Sequence, residues 1–207
     1  LARGVQNILI AGVGGQGVLL ASEILARAAL CAGFEVKKSE IHGMAQRGGV
    51  VSSHVRYGER VFSPLIPTGE ADIVLAFEEA EALRWAPTLG EGGVLIVNRQ
   101  RILPPLVSLG LAEYPADIMG LLSKLGKRYI ELKAFSLAQE MGDLRLVNTI
   151  MLGAGSVLLR VPMASWKRSL REELPDSVRD LNYAAFQRGR KAVLAARNRP
   201  EPAPIRA

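Results

Sequence analysis

One cysteine and two histidines are all that this 207-residue chain offers to a soft metal or a redox centre. A structural zinc takes about four Cys or His ligands and an iron–sulfur cluster about four thiolates, so neither can be housed by this chain alone. Cys31 sits within an apolar helical pattern and reads as a buried thiol rather than a reactive one. Aromatic residues make up only 5% of the chain, which argues against a base-stacking nucleic-acid binder. Long apolar runs are missing as well. Glu23 and Arg27 interrupt Val18 to Gly33, the best membrane-spanning candidate. No apolar leader core lies in residues 1–5, so a cytoplasmic address is the expectation. Several catalytic signatures are also absent. Val18 stands where a phosphate-binding loop would carry lysine, no Gly-x-Ser-x-Gly elbow occurs, and Gly142-Asp143 is followed by Leu144 rather than by the remainder of a thiamine diphosphate motif.

What is present is 49% hydrophobic residues, enough for one large core, with 22% charged. The net charge of +6 is local: residues 160–207 carry 11 Lys and Arg against 5 Asp and Glu, while the remainder carries 15 against 15. Arg188, Arg190, Lys191, Arg197 and Arg199 fall on one helix and its exit, as a solvated or partner-facing surface. No nucleic-acid motif accompanies them.

Apolar patterning orders the chain as an α/β protein. Asn7–Ala11 is a short buried strand and Val18–Ala32 a helix. Phe34–Glu40 is the next strand. Val50–Tyr57 alternates, and the turn "YGER" leading to Val61 and Phe62 suggests a hairpin at the sheet edge. Further strands are expected at Ala71–Phe77, Gly93–Asn98 and Tyr129–Phe135, with helices at Glu78–Trp85 and near Ala116–Leu125. Leu144–Leu159 is apolar on every side, so it is expected to be buried, either within this chain or at a subunit interface. Two further helices follow, at about Met163–Leu174 and Ser177–Arg197. The expected fold is a Rossmann-like, open, mostly parallel sheet with helices on both faces and a helical C-terminal third. Residues 1–197 are read as one domain and 198–207, punctuated by proline, as a disordered tail.

Two glycine-rich stretches stand out. In "AGVGGQG", Gly12, Gly14 and Gly17 match G-x-G-x-x-G between a strand and a helix, with Gly15 and Gln16 inside the match. Such a loop brings a helix N-terminus and its unpaired N–H groups to an anion. A dinucleotide site also wants a carboxylate about 20 residues on, at the end of the second strand. Glu35 lies at the start of its strand, and Glu40, at the end, is 28 residues past Gly12. Tight turning and close helix packing account for the glycines equally well, which leaves NAD(P) binding as the alternative reading. The second stretch, "HGMAQRGG", holds His42, Gly43, Gln46, Arg47, Gly48 and Gly49. Flexible backbone beside cationic and amide side chains suits the approach of an anion or another chain. First-turn Glu79 and Glu81 are read as complements to a helix dipole.

The segments "GVGGQGVLLASEILARAAL", "KKSEIHGMAQRGGVVSSHVR" and "SPLIPTGEADIVLAFEEAEALR", with "VNTIMLGAG" around Asn148 and "NYAAFQRG" from Asn182, closely resemble the beta subunits of indolepyruvate:ferredoxin oxidoreductases. Those subunits carry the gamma-type domain of the 2-oxoacid:acceptor oxidoreductase family. The resemblance runs from about Asn7 to Arg197, and "EIHGMAQRGG" favours the arylpyruvate branch. It implies oxidative decarboxylation of a 2-oxoacid with coenzyme A, giving acyl-CoA, carbon dioxide and reduced ferredoxin. It further implies that thiamine diphosphate and [4Fe-4S] clusters reside in a large alpha subunit, that this chain binds no cofactor alone, and that membranes and nucleic acids are not partners. The glycine loops and Asn148 would then face the coenzyme A side of the active centre or the subunit seam.

Overall fold

The computed structural model describes residues 4–42 and 49–197. Six strands form one sheet: β1 (Gln6–Val13), β2 (Glu35–His42), β3 (Val50–Gly58), β4 (Ala71–Ala76), β5 (Leu89–Asn98) and β6 (Tyr129–Leu132). Their order is β2-β3-β1-β4-β5-β6. β1, β4, β5 and β6 pair in parallel, whereas β3 runs against both β1 and β2. The fold is therefore the open α/β sheet expected, made mixed by one inserted strand.

β1 is buried at all eight positions, which is why it reads as a continuous apolar run rather than an alternating one. Its pleat sends Ile8 and Ile10 to one face and Leu9 to the other. The helices divide accordingly. α1 (Val18–Cys31), α5 (Ala134–Glu140), α6 (Val147–Ser156) and α8 (Arg179–Arg197) lie on the first side, α7 (Met163–Glu173) packs outside them against α1, and Ile24, Leu25, Met151, Trp166 and Phe186 share one buried cluster with Leu75 and Ile96. α2 (Glu79–Trp85) and α4 (Ile118–Lys124) cover the second, bringing Ala82, Ile118 and Leu122 to Val74, Leu95 and Val97. A one-turn helix, α3 (Pro105–Ser108), lies in the connection between β5 and α4.

Two expectations change, and the burial expected of α6 is met within the chain. Val50–Tyr57 does not form an edge hairpin with Val61 and Phe62. It pairs instead along its length with β2 and β1, from Glu35 opposite Gly58 to His42 opposite Val51, so β2 becomes the edge. Two apolar residues after "YGER" cannot match that ladder; Val61 is buried and Phe62 is 83% exposed under Arg60. The last strand stops at Leu132, because the Asn98 side chain accepts from the Ala134 and Phe135 N–H groups and starts α5 there. Finally, α6 is buried at every position by this chain itself. α8 crosses it so closely that a methyl group at Gly153 would strike the Phe186 carbonyl, and one at Gly189 the Ile150 carbonyl. No second subunit is needed to cover α6.

The C-terminal cations lie on the surface, several in water-exposed pairs such as Arg168–Glu172 and Arg188–Glu140, both at 2.7 Å. Pairs of this kind contribute about 0–1 kcal/mol each. Arg199 and the rest of the expected tail lie outside the described residues.

Candidate functional site

The carboxyl ends of β1, β4 and β5 meet at one edge of the sheet, and the glycine loop is stitched across them by Gln16. Its Oε1 accepts from the Val13 N–H at 2.8 Å, while Nε2 donates to the Phe77 carbonyl at 2.9 Å and to Gln100 Oε1 at 3.2 Å. A side chain at Gly12 would come within 2.8 Å of that same Gln16 oxygen and 2.9 Å of Val18. Gly15 and Gly17 hold left-handed backbone, at φ 101° and 77°, where any other residue is strained. Gly17 also lies under Asn148, whose Nδ2 would be 2.6 Å from an added Cβ. The Gly14 N–H donates to the Gly49 carbonyl at 2.9 Å, so the two glycine-rich stretches are joined directly.

Asn148 belongs to the first turn of α6 and is 5% exposed. Its Oδ1 accepts from the Thr149 N–H at 2.7 Å. α1 and α6 thus bring their N-termini together, and neither has a side-chain cap or a first-turn acid. The first N–H groups of α1 keep the partial positive charge of the helix dipole, the arrangement that favours an anion, whereas at α6 the Val147 N–H is bonded to the Leu144 carbonyl and the Thr149 N–H to Asn148.

The neighbouring carboxylates are committed elsewhere. Glu78, 1% exposed, caps α2 by accepting from Ala80 and Glu81 N–H groups, and also takes the Ile102 N–H and the Tyr114 hydroxyl. Burial and the bond to Glu78 keep that phenol protonated far above its ordinary range. Glu79 takes Arg99 at 2.7 Å and Arg101 at 2.8 Å. Burial pushes its carboxyl upward, but the two guanidinium bonds outweigh burial and hold it below the usual range. Glu81 goes the other way: burial raises it against the pull of Arg84. The dipole role expected of Glu79 and Glu81 is therefore the smaller part of what they do.

Gly12, Gly14, Gly15, Gln16, Gly17, Gly49 and Asn148 are brought together. Glu40 is not: it stands in β2, separated from β1 by β3, with its carboxylate 2.8 Å from Lys38 Nζ. His42 closes β2, in register with Val51 and through it with Gly12. Gly43, Gln46, Arg47 and Gly48 lie outside the described residues. Two members were not foreseen, Asn98 and Gln100. Asn98 Nδ2 donates to the Phe77 carbonyl at 3.1 Å and to Gln100 Oε1 at 3.0 Å. The available signal was an asparagine closing the apolar run Val94–Val97, a polar side chain delivered to a strand end.

The family described as pyruvate ferredoxin/flavodoxin oxidoreductase matches residues 7–192. The chain belongs to this family. The indolepyruvate oxidoreductase subunit IorB of Archaeoglobus fulgidus is 40% identical over 195 residues, spanning 92% of this chain and 96% of its own. Its counterpart in Thermococcus kodakarensis is 41% identical over 192 residues, 90% and 95% of the two chains. Among solved structures, the gamma subunit of a keto/oxoacid ferredoxin oxidoreductase from Geobacter sulfurreducens superposes with a TM-score of 0.68 at 26% identity, covering 92% of this chain and 99% of that one.

Membership of the oxidoreductase family leaves the stand-alone NAD(P) reading unsupported, and the geometry gives a physical reason. Gln16 turns back into the loop beside Gly12, and the acid that would hold a ribose is paired with lysine on another strand. The residues present do not fit thiamine diphosphate or an iron–sulfur cluster either, for lack of the motif and of thiolates. Among the described residues no three His, Cys, Asp or Glu side chains are placed to share a metal ion, and no helix is long and apolar enough to cross a membrane.

Proposed function

We propose that this chain is the small subunit of a cytoplasmic arylpyruvate:ferredoxin oxidoreductase, a heteromeric enzyme that oxidatively decarboxylates indolepyruvate or a close analogue with coenzyme A to acyl-CoA and carbon dioxide, reducing ferredoxin. The observation that carries this reading is the 40% identity to an indolepyruvate oxidoreductase subunit along nearly the full length of both chains. The larger alpha subunit supplies thiamine diphosphate and the [4Fe-4S] clusters, whose ligands a chain with one cysteine cannot provide.

The contribution of this chain is to bind and position. Gly12, Gly14, Gly15, Gln16 and Gly17, Gly49 and Asn148 shape the coenzyme A side of the active centre or its seam with the larger subunit, together with Glu40 and His42 of β2 and with Gly43, Gln46, Arg47 and Gly48 of the second glycine-rich stretch. The uncapped N-terminus of α1 suits a phosphate group of coenzyme A, and Arg47 a second phosphate or a partner carboxylate.

The test is anaerobic assay of the reconstituted complex with indolepyruvate, phenylpyruvate, 2-oxoglutarate and pyruvate. The expected result is a kcat/KM for the arylpyruvates at least tenfold above the others; a preference for 2-oxoglutarate or pyruvate would overturn the substrate assignment. Arg47→Ala is expected to raise the coenzyme A KM about tenfold in a complex that still assembles. An unchanged KM would remove Arg47 from the ligand side.

A further inference from the structure

α7 divides its residues between two faces. Ser165, Trp166, Ser169 and Leu170 are buried, and the Ser169 hydroxyl donates to the Ile24 carbonyl of α1 at 2.7 Å. At 3.6 residues per turn, Ala164, Lys167, Arg168 and Arg171 then share the opposite, exposed face. Together with Glu172 and with Arg179, the first residue of α8, they line one recess of about 570 Å³.

The cations of the recess are of two kinds. Arg168 pairs with Glu172 at 2.7 Å, while Arg179 pairs with Asp176 and donates to the Leu174 carbonyl at 2.9 Å, so both guanidinium groups are held in place. Lys167 and Arg171 pair with no carboxylate among the described residues; Lys167 lies over the Tyr183 ring, 5.6 Å from its centroid. Glu172, the one carboxylate in the lining, is already shared between Arg168 and Arg27, the latter at 3.8 Å. Further along α8 the pattern differs, for Arg188 is spent on Glu140 and Arg190 on the Ser156 hydroxyl.

Lys167 and Arg171 stand one helical turn apart, close enough for like charges to repel. An anion seated between them removes that repulsion, and a recess lined by one sign of charge concentrates such an ion above its bulk level. Arginine meets phosphate oxygens with paired N–H groups, to which lysine adds a point charge. The volume falls within the range of small-molecule sites. Because the cations gather around a recess rather than along a stripe, the shape suits a compact ligand better than a nucleic-acid backbone.

We propose that the recess between α7 and the start of α8 is a binding site for a small phosphate-bearing anion, with Lys167 and Arg171 as its charged contacts and Arg168 and Arg179 as its fixed walls. The experiment titrates inorganic pyrophosphate into the full chain by calorimetry at moderate salt, so the readout is binding and not turnover. Saturable binding at one site is expected, with a Kd below about 1 mM. Lys167→Ala with Arg171→Ala is expected to weaken it at least tenfold, whereas Arg188→Ala with Lys191→Ala, which removes the same charge from α8, is expected to change it by less than about twofold. All four side chains face water, so both double variants are expected to keep the circular dichroism spectrum and a Tm within about 2 °C of wild type. Binding that survives the loss of Lys167 and Arg171 would place the anion elsewhere, for instance at the N-terminus of α1, and would overturn the proposal. Equal weakening by the two variants would overturn it too, by reducing the effect to net charge. So would the absence of saturable binding, or displacement of pyrophosphate by a short DNA duplex at equal phosphate concentration, which would assign the surface to nucleic acid.

Discussion

The chain uses close glycine contacts twice, and the two places differ in what the glycine meets. In the loop, Gly12 and Gly17 lie against side-chain atoms, the Gln16 amide and the Asn148 amide. Where α6 crosses α8, Gly153 and Gly189 lie against each other's helix backbone, at the carbonyls of Phe186 and Ile150. The Asn148 tip above Gly17 can rotate away at modest cost, while Gly12 also meets Val18 and the Cβ of Phe77 and its Gln16 neighbour is hydrogen-bonded; a helix carbonyl moves only with its helix. A dinucleotide-like fingerprint is therefore compatible with an adjustable, ligand-facing loop, while the plainer glycines further on are those the fold cannot exchange.

That contrast fixes an order of sensitivity. Gly153→Ala or Gly189→Ala should cost at least ~4 kcal/mol, a loss in Tm of roughly 8–16 °C by calorimetry. Truncating Phe186 should not restore it, because the obstacle is a backbone oxygen. Gly17→Ala should cost about 2–3 kcal/mol, part from left-handed backbone and part from displacing Asn148. Here a second substitution, Asn148→Ala, should recover the steric share, so a double-mutant cycle will show coupling of about 1 kcal/mol. Full additivity would erase the distinction between the two regions. Gln16→Ala should cost about 1–3 kcal/mol, since it strips the Val13 N–H of its side-chain acceptor and leaves the Phe77 carbonyl to Asn98 alone.

The smallest expected effect is pH-dependent. Glu79 is held below the usual carboxylate range, so its contribution is present above that range and lost as pH falls through its folded value. Glu81 is raised, so its contribution has the opposite slope: full in acid and lost as pH rises. Protonating Glu79 weakens its bonds to Arg99 and Arg101 on either side of Gln100, whereas the close approaches at Gly153 and Gly189 involve no titratable group. Amide protection near Arg99–Ile102, corrected for the intrinsic exchange rate, should therefore fall below about pH 4 before that of α6 does. Simultaneous opening would show that the two regions unfold as one unit.

Much of the fold was legible because the strong signals were local. An all-buried strand, a glycine turn and an apolar helix follow one another at β1 and α1, and period alone separates them. The antiparallel insertion of β3 was not legible, since alternation states that a strand has two unlike faces and says nothing of which neighbours it joins. The glycine loop was recognisable as a strand–turn–helix junction, but its acid was sought at Glu40 by analogy to dinucleotide binding, while the chain spent its amides, Gln16, Asn98 and Gln100, on the same edge. Long-range hydrogen bonding of this sort, 61 residues apart for Gln16 and Phe77, leaves no spacing to read. Glu79 was seen as a dipole partner because its arginines, Arg99 and Arg101, come from another strand's end, whereas Glu81 pairs within α2 itself, with Arg84.

The most direct measurement is anaerobic affinity purification of the tagged chain from its native cells at moderate salt, recording the mass and the visible absorbance of what is recovered. A brown complex with a larger thiamine-binding chain is the expected result. A colourless monomer that binds NAD(P) at micromolar concentration would contradict the account, and would return Gly12, Gly14 and Gly17 to the role their spacing first suggested.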